Sequence, residues 1–240
     1  MSKVFIFDID GTLTPSRLPM TEEFTIFFSL YSINNPFYLV TGSDIEKTKQ
    51  QVPWYILERA DALFTCCGNE MWVEEKQIYR KEFKPPKKLI DYLELELKFS
   101  PYKKQYGNHI EDRGTLLNFS IVGRDCTQEQ REDYNRYDTE KGERKRISEA
   151  IKRQFPDLDA VLGGQISIDI YPKGNDKSQV LEHIEKRYEN DELIFIGDGI
   201  VNGGNDYPLA HLMDNIEGCD WHQTDGWKQT KEILLEKLNG

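Results

Sequence analysis

The sequence predicts an α/β protein with a Rossmann-like, parallel-sheet core and an inserted α+β cap domain that contains an antiparallel sheet. The core is predicted from short, continuous apolar runs that alternate with helical segments, as in parallel strands buried on both faces. The cap is predicted from a central stretch in which apolar and polar residues alternate strictly, as in strands covered on one face. We therefore place the core domain at 1–82 and 173–240 and the cap domain at 83–172.

Four apolar runs are predicted to be core strands, and small or acidic residues follow them. The runs are Val4–Phe7, Phe37–Val40, Ala62–Phe64 and Leu193–Ile196. Helical segments at Ser43–Gln50 and Ser178–Tyr188 lie between some of these runs. Because ligands of open α/β sheets bind beyond the carboxyl ends of the strands, the polar residues that follow the runs are expected to form one site.

The cap elements are predicted from amphipathic strands and charged helices. Apolar and polar residues alternate along Leu116–Val122 and Gln165–Tyr171. Thr127 and Gln130 have the form of a capping box, which predicts that a helix begins there. The segment Lys141–Phe155 is predicted to be a second, highly charged helix.

The composition disfavours several classes of partner. The chain has 240 residues and a formal net charge of −11, so a nucleic-acid backbone or an anionic membrane would be repelled. No apolar run approaches the roughly 20 residues that span a bilayer, and the first residues lack the layout of a signal peptide. The cysteines show no metal-ligand spacing, which favours a reducing compartment. We expect a cytoplasmic protein that binds a small molecule, without nucleic-acid or membrane partners.

Acidic residues after the core strands predict a metal site. Asp8 and Asp10 follow the first run, and a separation of two residues on an extended backbone places both carboxylates on one side. Asp198 follows a distant run. Neighbouring carboxylates resist ionisation unless a cation compensates them, and such hard oxygen ligands suit Mg²⁺. Any one aspartate could instead cap the turn after its strand, but the set in this order favours the metal site.

Four segments resemble the motifs of the haloacid dehalogenase superfamily of phosphotransferases. Residues 7–14, Phe-Asp-Ile-Asp-Gly-Thr-Leu-Thr, are similar to the first motif, and residues 41–44, Thr-Gly-Ser-Asp, to the second. Lys177 is similar to the third motif, and residues 197–198 with 203–206 are similar to the fourth. The motifs also occur in the order that the superfamily has.

The resemblance implies a role for each of these residues. Asp8 would attack phosphorus and form an aspartyl phosphate, while Asp10 would act as general acid and base. Lys177 would neutralise Asp8, and Thr41 or Ser43 would donate a hydrogen bond to the phosphoryl oxygens. The implied magnesium ligands are Asp8, Asp10 through its backbone carbonyl, Asp198, Asn205 and Asp206.

Nearly the whole chain resembles the eukaryotic phosphomannomutase family, most clearly in the cap. Arg113 precedes Gly-Thr-Leu-Leu-Asn-Phe-Ser, and segments 122–126, 128–131 and 163–169 also follow the family pattern. Guanidinium forks suit phosphate oxygens, although polar faces with arginines are often only solvated surfaces. The resemblance implies that Arg113, Arg124 and Arg131 bind the non-reacting phosphate. The implied substrate-binding residues are Arg17, Arg113, Asn118, Arg124, Arg131, Ser167 and Asp169.

The implied activity is that of an isomerase, which interconverts hexose 1-phosphate and hexose 6-phosphate through a bisphosphate. Mannose and glucose phosphates are both compatible with this resemblance. The resemblance also implies a hexose 1,6-bisphosphate activator, a homodimer through the cap and a role in GDP-mannose biosynthesis. An alternative is a magnesium-dependent sugar phosphatase with the same Asp8 intermediate. It is favoured by departures such as Gly-Asn-Asp-Lys at 174–177, where the family has Gly-Trp-Asp-Lys. A third alternative, a sugar-phosphate sensor, would have no need of a nucleophile.

Overall fold

The computed structural model describes residues 2–188 and 191–239, and the chain forms two compact units. The core unit comprises Met1–Arg80 and Asn175–Gly240, and the cap unit comprises Lys81–Gly174. No helix in the described parts of the chain is both long enough and apolar enough to cross a membrane.

The core unit contains a mixed sheet in which parallel strands predominate. The strands are β1 (Lys3–Phe7), β2 (Phe37–Val40), β3 (Ala62–Thr65), β4 (Glu70–Val73), β5 (Lys76–Arg80), β10 (Glu192–Gly197) and β11 (Cys219–Gln223). Their order is β11-β10-β1-β2-β3-β4-β5, and β4 and β5 run antiparallel to their neighbours. The helices of this unit are α1 (Glu22–Asn34), α2 (Ile45–Gln51), α3 (Trp54–Leu57), α7 (Leu181–Glu185), α8 (Tyr207–Met213) and α9 (Trp227–Asn239).

The continuous apolar runs are explained by burial on both faces of this sheet. On β1, Phe5 and Phe7 pack into one apolar cluster, while Val4 and Ile6 pack into another on the opposite face. All four side chains are fully buried. The four strands predicted from such runs are therefore confirmed, and with them the predicted α/β class.

Three of these strands end side by side. Phe7, the last residue of β1, pairs with Ile196 of β10 and with Leu39 of β2. The backbone N–H of Asp8 donates to Ile196 O at 2.9 Å, which carries the ladder one residue beyond the strand. The residues that follow β1, β2 and β10 therefore lie at the same edge of the sheet, as predicted.

The cap unit contains an antiparallel sheet with helices packed against one face. Its strands are β6 (Ile110–Asp112), β7 (Leu117–Phe119), β8 (Leu158–Gly163) and β9 (Ser167–Pro172), in the order β6-β7-β9-β8. The helices are α4 (Lys87–Phe99), α5 (Gln128–Lys141) and α6 (Glu143–Gln154). Phe119 and Ile168 face the same apolar cluster as Leu89 of α4 and Ile147 of α6, which confirms the predicted apolar face.

Two predicted helices differ from those observed. Thr127 and Gln130 form the predicted capping box, but the helix that they start ends before Gly142, whose φ of 65° is left-handed. The segment predicted as one helix over Lys141–Phe155 is therefore split between α5 and α6. The helix predicted from Ser178 begins instead as a 3₁₀ turn at Lys177–Val180 and continues as α7.

Candidate active site

Asp8 is a buried carboxylate at the carboxyl end of β1. Its side chain is removed from water, and Lys177 Nζ donates to Asp8 Oδ1 at 2.5 Å. Thr12 Oγ1 donates to Asp8 Oδ2 at 3.4 Å. Burial raises the pKa of the Asp8 carboxyl to about 7, an effect that Lys177 opposes and Asp206 reinforces.

Lys177 is a fully buried cation held between two aspartates. Its Nζ lies 2.5 Å from Asp8 Oδ1 and 2.6 Å from Asp206 Oδ1, and neither Lys177 nor Asp206 is exposed to solvent. Burial alone would lower the pKa of Lys177, but the charges of Asp206 and Asp8 outweigh burial and raise it. Lys177 is therefore a permanent positive charge beside the predicted nucleophile.

Three carboxylates of this site are close enough to hold one metal ion. One oxygen each of Asp8, Asp198 and Asp206 lies within 4.8 Å of the others. Removal from water, followed by the charges of Asp8 and Asp206, raises the pKa of Asp198 to about 8. Because the Asp198 side chain is exposed, we attribute its raised pKa mainly to the charges of Asp8 and Asp206. Lys177 supplies one positive charge against three carboxylates, and this donor set fits a divalent cation with hard-oxygen preference.

Two glycines make room for this carboxylate cluster. Gly11 has a φ of +97°, and a Cβ atom there would collide with Asp198 Oδ2. A Cβ atom on Gly197 would lie 2.6 Å from Asp206 Oδ2. Asp206 Oδ2 in turn accepts a hydrogen bond from the Gly199 N–H at 2.8 Å. The glycines of the first and fourth motifs therefore allow Asp198 and Asp206 to approach Asp8.

Asp10 lies on the loop after β1, and its carboxylate is held by other residues. Asp10 Oδ1 accepts a hydrogen bond from the Arg17 N–H, in a loop where Arg17 has a left-handed φ of 63°. Gln51 Nε2 also donates to Asp10 Oδ1, at 3.2 Å, and Lys47 Nζ lies 3.6 Å from Asp10 Oδ2. The predicted general acid is therefore held by α2 and by the loop that follows β1.

The remaining predicted core residues lie in the loops at the same sheet edge. Thr41 and Ser43 are both buried, and the Ser43 N–H donates to Thr41 Oγ1 at 3.1 Å. Asn205 precedes Asp206, and its Oδ1 would lie 2.7 Å from a Cβ atom on Gly199. Thr41 and Ser43 thus follow β2, and Asn205 belongs to the loop that carries Asp206.

Polar residues of the cap unit line one face of its sheet. Glu111, Asn118 and Asp169 stand in one row across β6, β7 and β9. Asn118 Nδ2 donates to Asp169 Oδ1 at 2.6 Å, and both side chains are buried. Within the described chain, no donor reaches the buried Asn118 Oδ1. A buried polar oxygen without a partner is unusual and is suited to a ligand hydroxyl group.

Two of the predicted arginines converge on Glu111 of this row. Arg113 donates to Glu111 Oε2 from Nε at 3.0 Å and from Nη2 at 2.7 Å. Arg124 Nε lies 3.6 Å from the same oxygen, and Arg124 Nη1 donates to Ser167 Oγ at 3.1 Å. Arg131 is buried on α5, where its Nη2 lies 3.8 Å from Cys126 Sγ. The structure thus brings together Arg113, Arg124 and Ser167.

Sequence reasoning missed Lys47, Gln51 and Glu111. Lys47 and Gln51 lie four residues apart on α2, so they share a helix face, but nothing in their spacing indicates that this face meets Asp10. Glu111 lies two residues before Arg113, a separation that places both side chains on one side of a strand. The position of Glu111 could therefore have been predicted, whereas the α2 contacts depend on the packing of the core.

Comparisons with known proteins identify the family and the fold of this chain. The sequence pattern of the eukaryotic phosphomannomutase family matches residues 30–236. The chain is 34% identical to a phosphomannomutase of Saccharomyces cerevisiae, over 98% of this chain and 93% of the relative. It is 34% identical to a phosphomannomutase of Drosophila melanogaster, over 98% of this chain and 95% of the relative.

A solved structure shows the same fold. A haloacid dehalogenase-like hydrolase from Bacteroides thetaiotaomicron superposes with a TM-score of 0.57 at 13% sequence identity, covering 98% of this chain and all of the hydrolase. At this identity the likeness concerns the fold alone. The family pattern and the full-length relatives go further, and they show that this chain belongs to the eukaryotic phosphomannomutase family.

Proposed function

We propose that this protein is a magnesium-dependent phosphomannomutase, which interconverts hexose 1-phosphate and hexose 6-phosphate. The observation that carries the proposal is the buried contact of 2.5 Å between Lys177 Nζ and Asp8 Oδ1. A carboxylate can attack an anionic phosphoryl group only where cations offset the repulsion, and Lys177 provides such a cation. Full-length relatives that bear the name phosphomannomutase support the same reaction.

The first half of the reaction would transfer one phosphoryl group of a hexose 1,6-bisphosphate to Asp8 and leave a hexose monophosphate. An oxygen of the Asp8 carboxylate attacks phosphorus and forms an O–P bond, while the bond from phosphorus to the leaving oxygen breaks. The leaving sugar oxygen takes a proton from the Asp10 carboxyl. Asp8 becomes an aspartyl phosphate, and Lys177 stays beside it to offset the added negative charge.

In the second half, phosphorylated Asp8 would donate its phosphoryl group to the free hydroxyl group of a bound hexose 1-phosphate. Asp10 accepts the proton of the incoming hydroxyl group as that oxygen attacks phosphorus, and the bond to Asp8 breaks. A hexose 1,6-bisphosphate forms and turns over within the enzyme, so that its other phosphate then reacts with Asp8. Added hexose bisphosphate would phosphorylate resting enzyme and so act as an activator.

The carboxylate cluster fits the magnesium ion that this chemistry needs. Asp8, Asp198 and Asp206 would hold it, since their oxygens lie within 4.8 Å of one another, and Asp10 and Asn205 remain proposed ligands. When bound, Mg²⁺ supplies positive charge that offsets the phosphoryl oxygens. The raised pKa values of Asp8 and Asp198 indicate that the cluster lacks positive charge without it.

The cap unit would determine which substrates bind. Arg113, Arg124 and Arg131 are proposed to bind the phosphate that is not reacting, and charge-assisted bonds from such forks are worth about 1.5–3 kcal/mol each. Asn118, Ser167 and Asp169 are proposed to bind sugar hydroxyl groups, and Arg17 of the core unit is proposed to bind substrate as well. The unpartnered oxygen of Asn118 supports the presence of a ligand at this face.

The setting of the reaction is proposed from the family. We infer a cytoplasmic homodimer that associates through the cap and supplies mannose 1-phosphate for GDP-mannose synthesis. The absence of a membrane-spanning helix in the described residues is compatible with that setting.

The proposal is tested by incubating the protein with mannose 1-phosphate, Mg²⁺ and a hexose 1,6-bisphosphate. Mannose 6-phosphate and free phosphate are measured in the same samples, with Asp8→Asn as the inactive control. We expect mannose 6-phosphate to form much faster than free phosphate. If free phosphate forms without the isomer, the protein is not a mutase but a sugar phosphatase that uses the same Asp8 intermediate.

A further inference from the structure

The two oxygens of the Asp10 carboxylate are bound by one face of α2. Gln51, the last residue of α2, donates from Nε2 to Asp10 Oδ1 at 3.2 Å. Lys47, one turn earlier on the same helix, places Nζ 3.6 Å from Asp10 Oδ2. Residues four apart on a helix lie on the same face, so α2 contacts Asp10 with both side chains.

Gln51 also fixes the loop that carries Asp10. Its Nε2 lies 3.2 Å from Thr14 Oγ1 and 3.4 Å from Leu18 O, in addition to its contact with Asp10. Its backbone O accepts a hydrogen bond from the Met20 N–H at 2.8 Å. Three acceptors around one nitrogen identify that atom as the amide donor. One buried residue thereby contacts the loop over most of its length.

The other end of the Gln51 amide carries a cost for the fold. The side chain is 3% exposed, and within the described chain no donor reaches Gln51 Oε1. A buried polar oxygen without a partner destabilises a protein, so such an atom calls for a reason. An apolar side chain of the same length would avoid this cost but would lose the donor to Asp10.

We propose that Gln51, with Lys47, is a positioning residue that holds Asp10 in the orientation required for proton transfer to and from the sugar oxygen. The inference rests on the proposed function, because it assigns Asp10 the part of general acid and base. It assigns neither Gln51 nor Lys47 any contact with substrate. The need for the Nε2 donor to Asp10 explains why a buried glutamine with an unsatisfied Oε1 occupies position 51.

Gln51→Met separates this role from a structural one, because methionine fills the same space without a donor. Acetyl phosphate should phosphorylate Asp8 at a rate within threefold of wild type, since acetate leaves without needing a proton. Transfer from phosphorylated Asp8 to mannose 6-phosphate, which needs Asp10 as base, should fall about 10- to 100-fold, as expected for a misplaced catalytic group. The value of kcat should fall and KM should change little.

The matched control is Gln50→Met, because Gln50 is the exposed neighbour on the same helix. This control should leave both steps unchanged. In an Asp10→Asn background, Gln51→Met should add no further loss, because the residue acts through Asp10. Should Gln51→Met fail to fold, Lys47→Met provides the same test, with the exposed Lys49→Met as its control.

The possible outcomes distinguish this inference from the proposed function. If wild type forms no aspartyl phosphate, both the proposed function and this inference fail. If wild type forms it and Gln51→Met transfers the phosphoryl group within about threefold of the wild-type rate, the inference alone is overturned. A full additional loss from Gln51→Met in the Asp10→Asn background would also overturn it.

Discussion

Lys177 Nζ lies 2.5 Å from Asp8 Oδ1, and both side chains are removed from solvent. These residues are 169 positions apart in the chain, and each is placed by a different element of the core unit. The contact therefore depends on the complete fold. We expect Lys177 both to stabilise the protein and to take part in the proposed reaction.

Lys177→Met should reduce stability and activity together. Without the ammonium group, Asp8 and Asp206 remain buried with no counter-charge, and loss of one partner from a buried ion pair costs about 3–5 kcal/mol. Urea unfolding at neutral pH measures this loss. Lys186→Met is the control, because Lys186 forms an exposed pair with Glu182 that should contribute about 1 kcal/mol or less. Equal losses in the two variants would contradict the buried role of Lys177.

Gly11→Ala should weaken magnesium binding more than folding. A Cβ atom would collide with Asp198 Oδ2, the end of a side chain that can rotate away, so that one metal ligand is displaced. We expect the Mg²⁺ concentration for half-maximal activity to rise about tenfold or more. Gly174→Ala is the control, since Gly174 also has a positive φ but a Cβ there meets nothing within 4 Å in the described chain. An unchanged magnesium requirement in Gly11→Ala would show that Asp198 is not a ligand.

Asp10→Asn should slow turnover by about 10²–10⁴-fold, the usual contribution of a general acid or base. The amide keeps the shape of the side chain but can neither give nor accept the proton of the sugar oxygen. With acetyl phosphate as donor, whose acetate leaves without a proton, rapid-quench measurements should show phosphorylated Asp8 accumulating, because its transfer to the sugar is the slowed step. A turnover rate equal to that of wild type would exclude Asp10 from this role.

Arg131→Ala should separate isomerisation from simple phosphate release. The cap arginines are proposed to retain the bisphosphate, and loss of one guanidinium fork should weaken that retention by about 1.5–3 kcal/mol per contact. Isomerisation should fall and dependence on added bisphosphate should rise, while hydrolysis of acetyl phosphate should fall far less. Arg136→Ala is the matched control, since Arg136 is exposed on the same helix. A proportional fall in both activities would argue against the mutase.

Magnesium should stabilise the protein more at pH 8 than at pH 6. The pKa values of Asp8 and Asp198 are raised to about 7 and about 8, so between about pH 4 and pH 8 the folded state binds more protons than the unfolded state. Their contribution to stability is therefore lost as the pH rises. Magnesium requires the deprotonated carboxylates, so its effect grows over the same interval.

Calorimetric melting temperatures with and without Mg²⁺ measure this difference. The variant with both Asp8→Asn and Asp198→Asn is the control, and it should show little dependence of the magnesium effect on pH. A magnesium stabilisation in wild type that is equal at pH 6 and pH 8 would contradict the assignment of these carboxylates.

The inner strands of the core could be predicted from the sequence because both of their faces are buried. Phe5 and Phe7 face one cluster and Val4 and Ile6 the other, so the run is continuously apolar. The outer strands gave no such signal. In β5 most residues are exposed, and β11 is half-buried and polar, since a strand at the edge of a sheet has less apolar cover.

The candidate site was predictable only where a motif fixes its residues. Asp8 and Asp198 follow from their positions after strands and from the resemblance to known motifs, whereas Lys177 follows from the resemblance alone. The contact between Gln51 and Asp10 spans 41 positions and depends on how α2 packs against the loop after β1, which no local pattern reports. The pairing of Glu111 with Arg113 and Arg124 likewise depends on the register of the cap strands.

We propose that a phosphoryl group passes through Asp8 from one sugar oxygen to another. The most direct test is to phosphorylate the enzyme with ³²P-labelled hexose 1,6-bisphosphate in the presence of Mg²⁺, map the labelled residue, and chase with unlabelled mannose 6-phosphate. We expect the label to lie on Asp8 and to move onto the sugar as bisphosphate. Label on another residue, or label released as free phosphate and not transferred to the sugar, would contradict it.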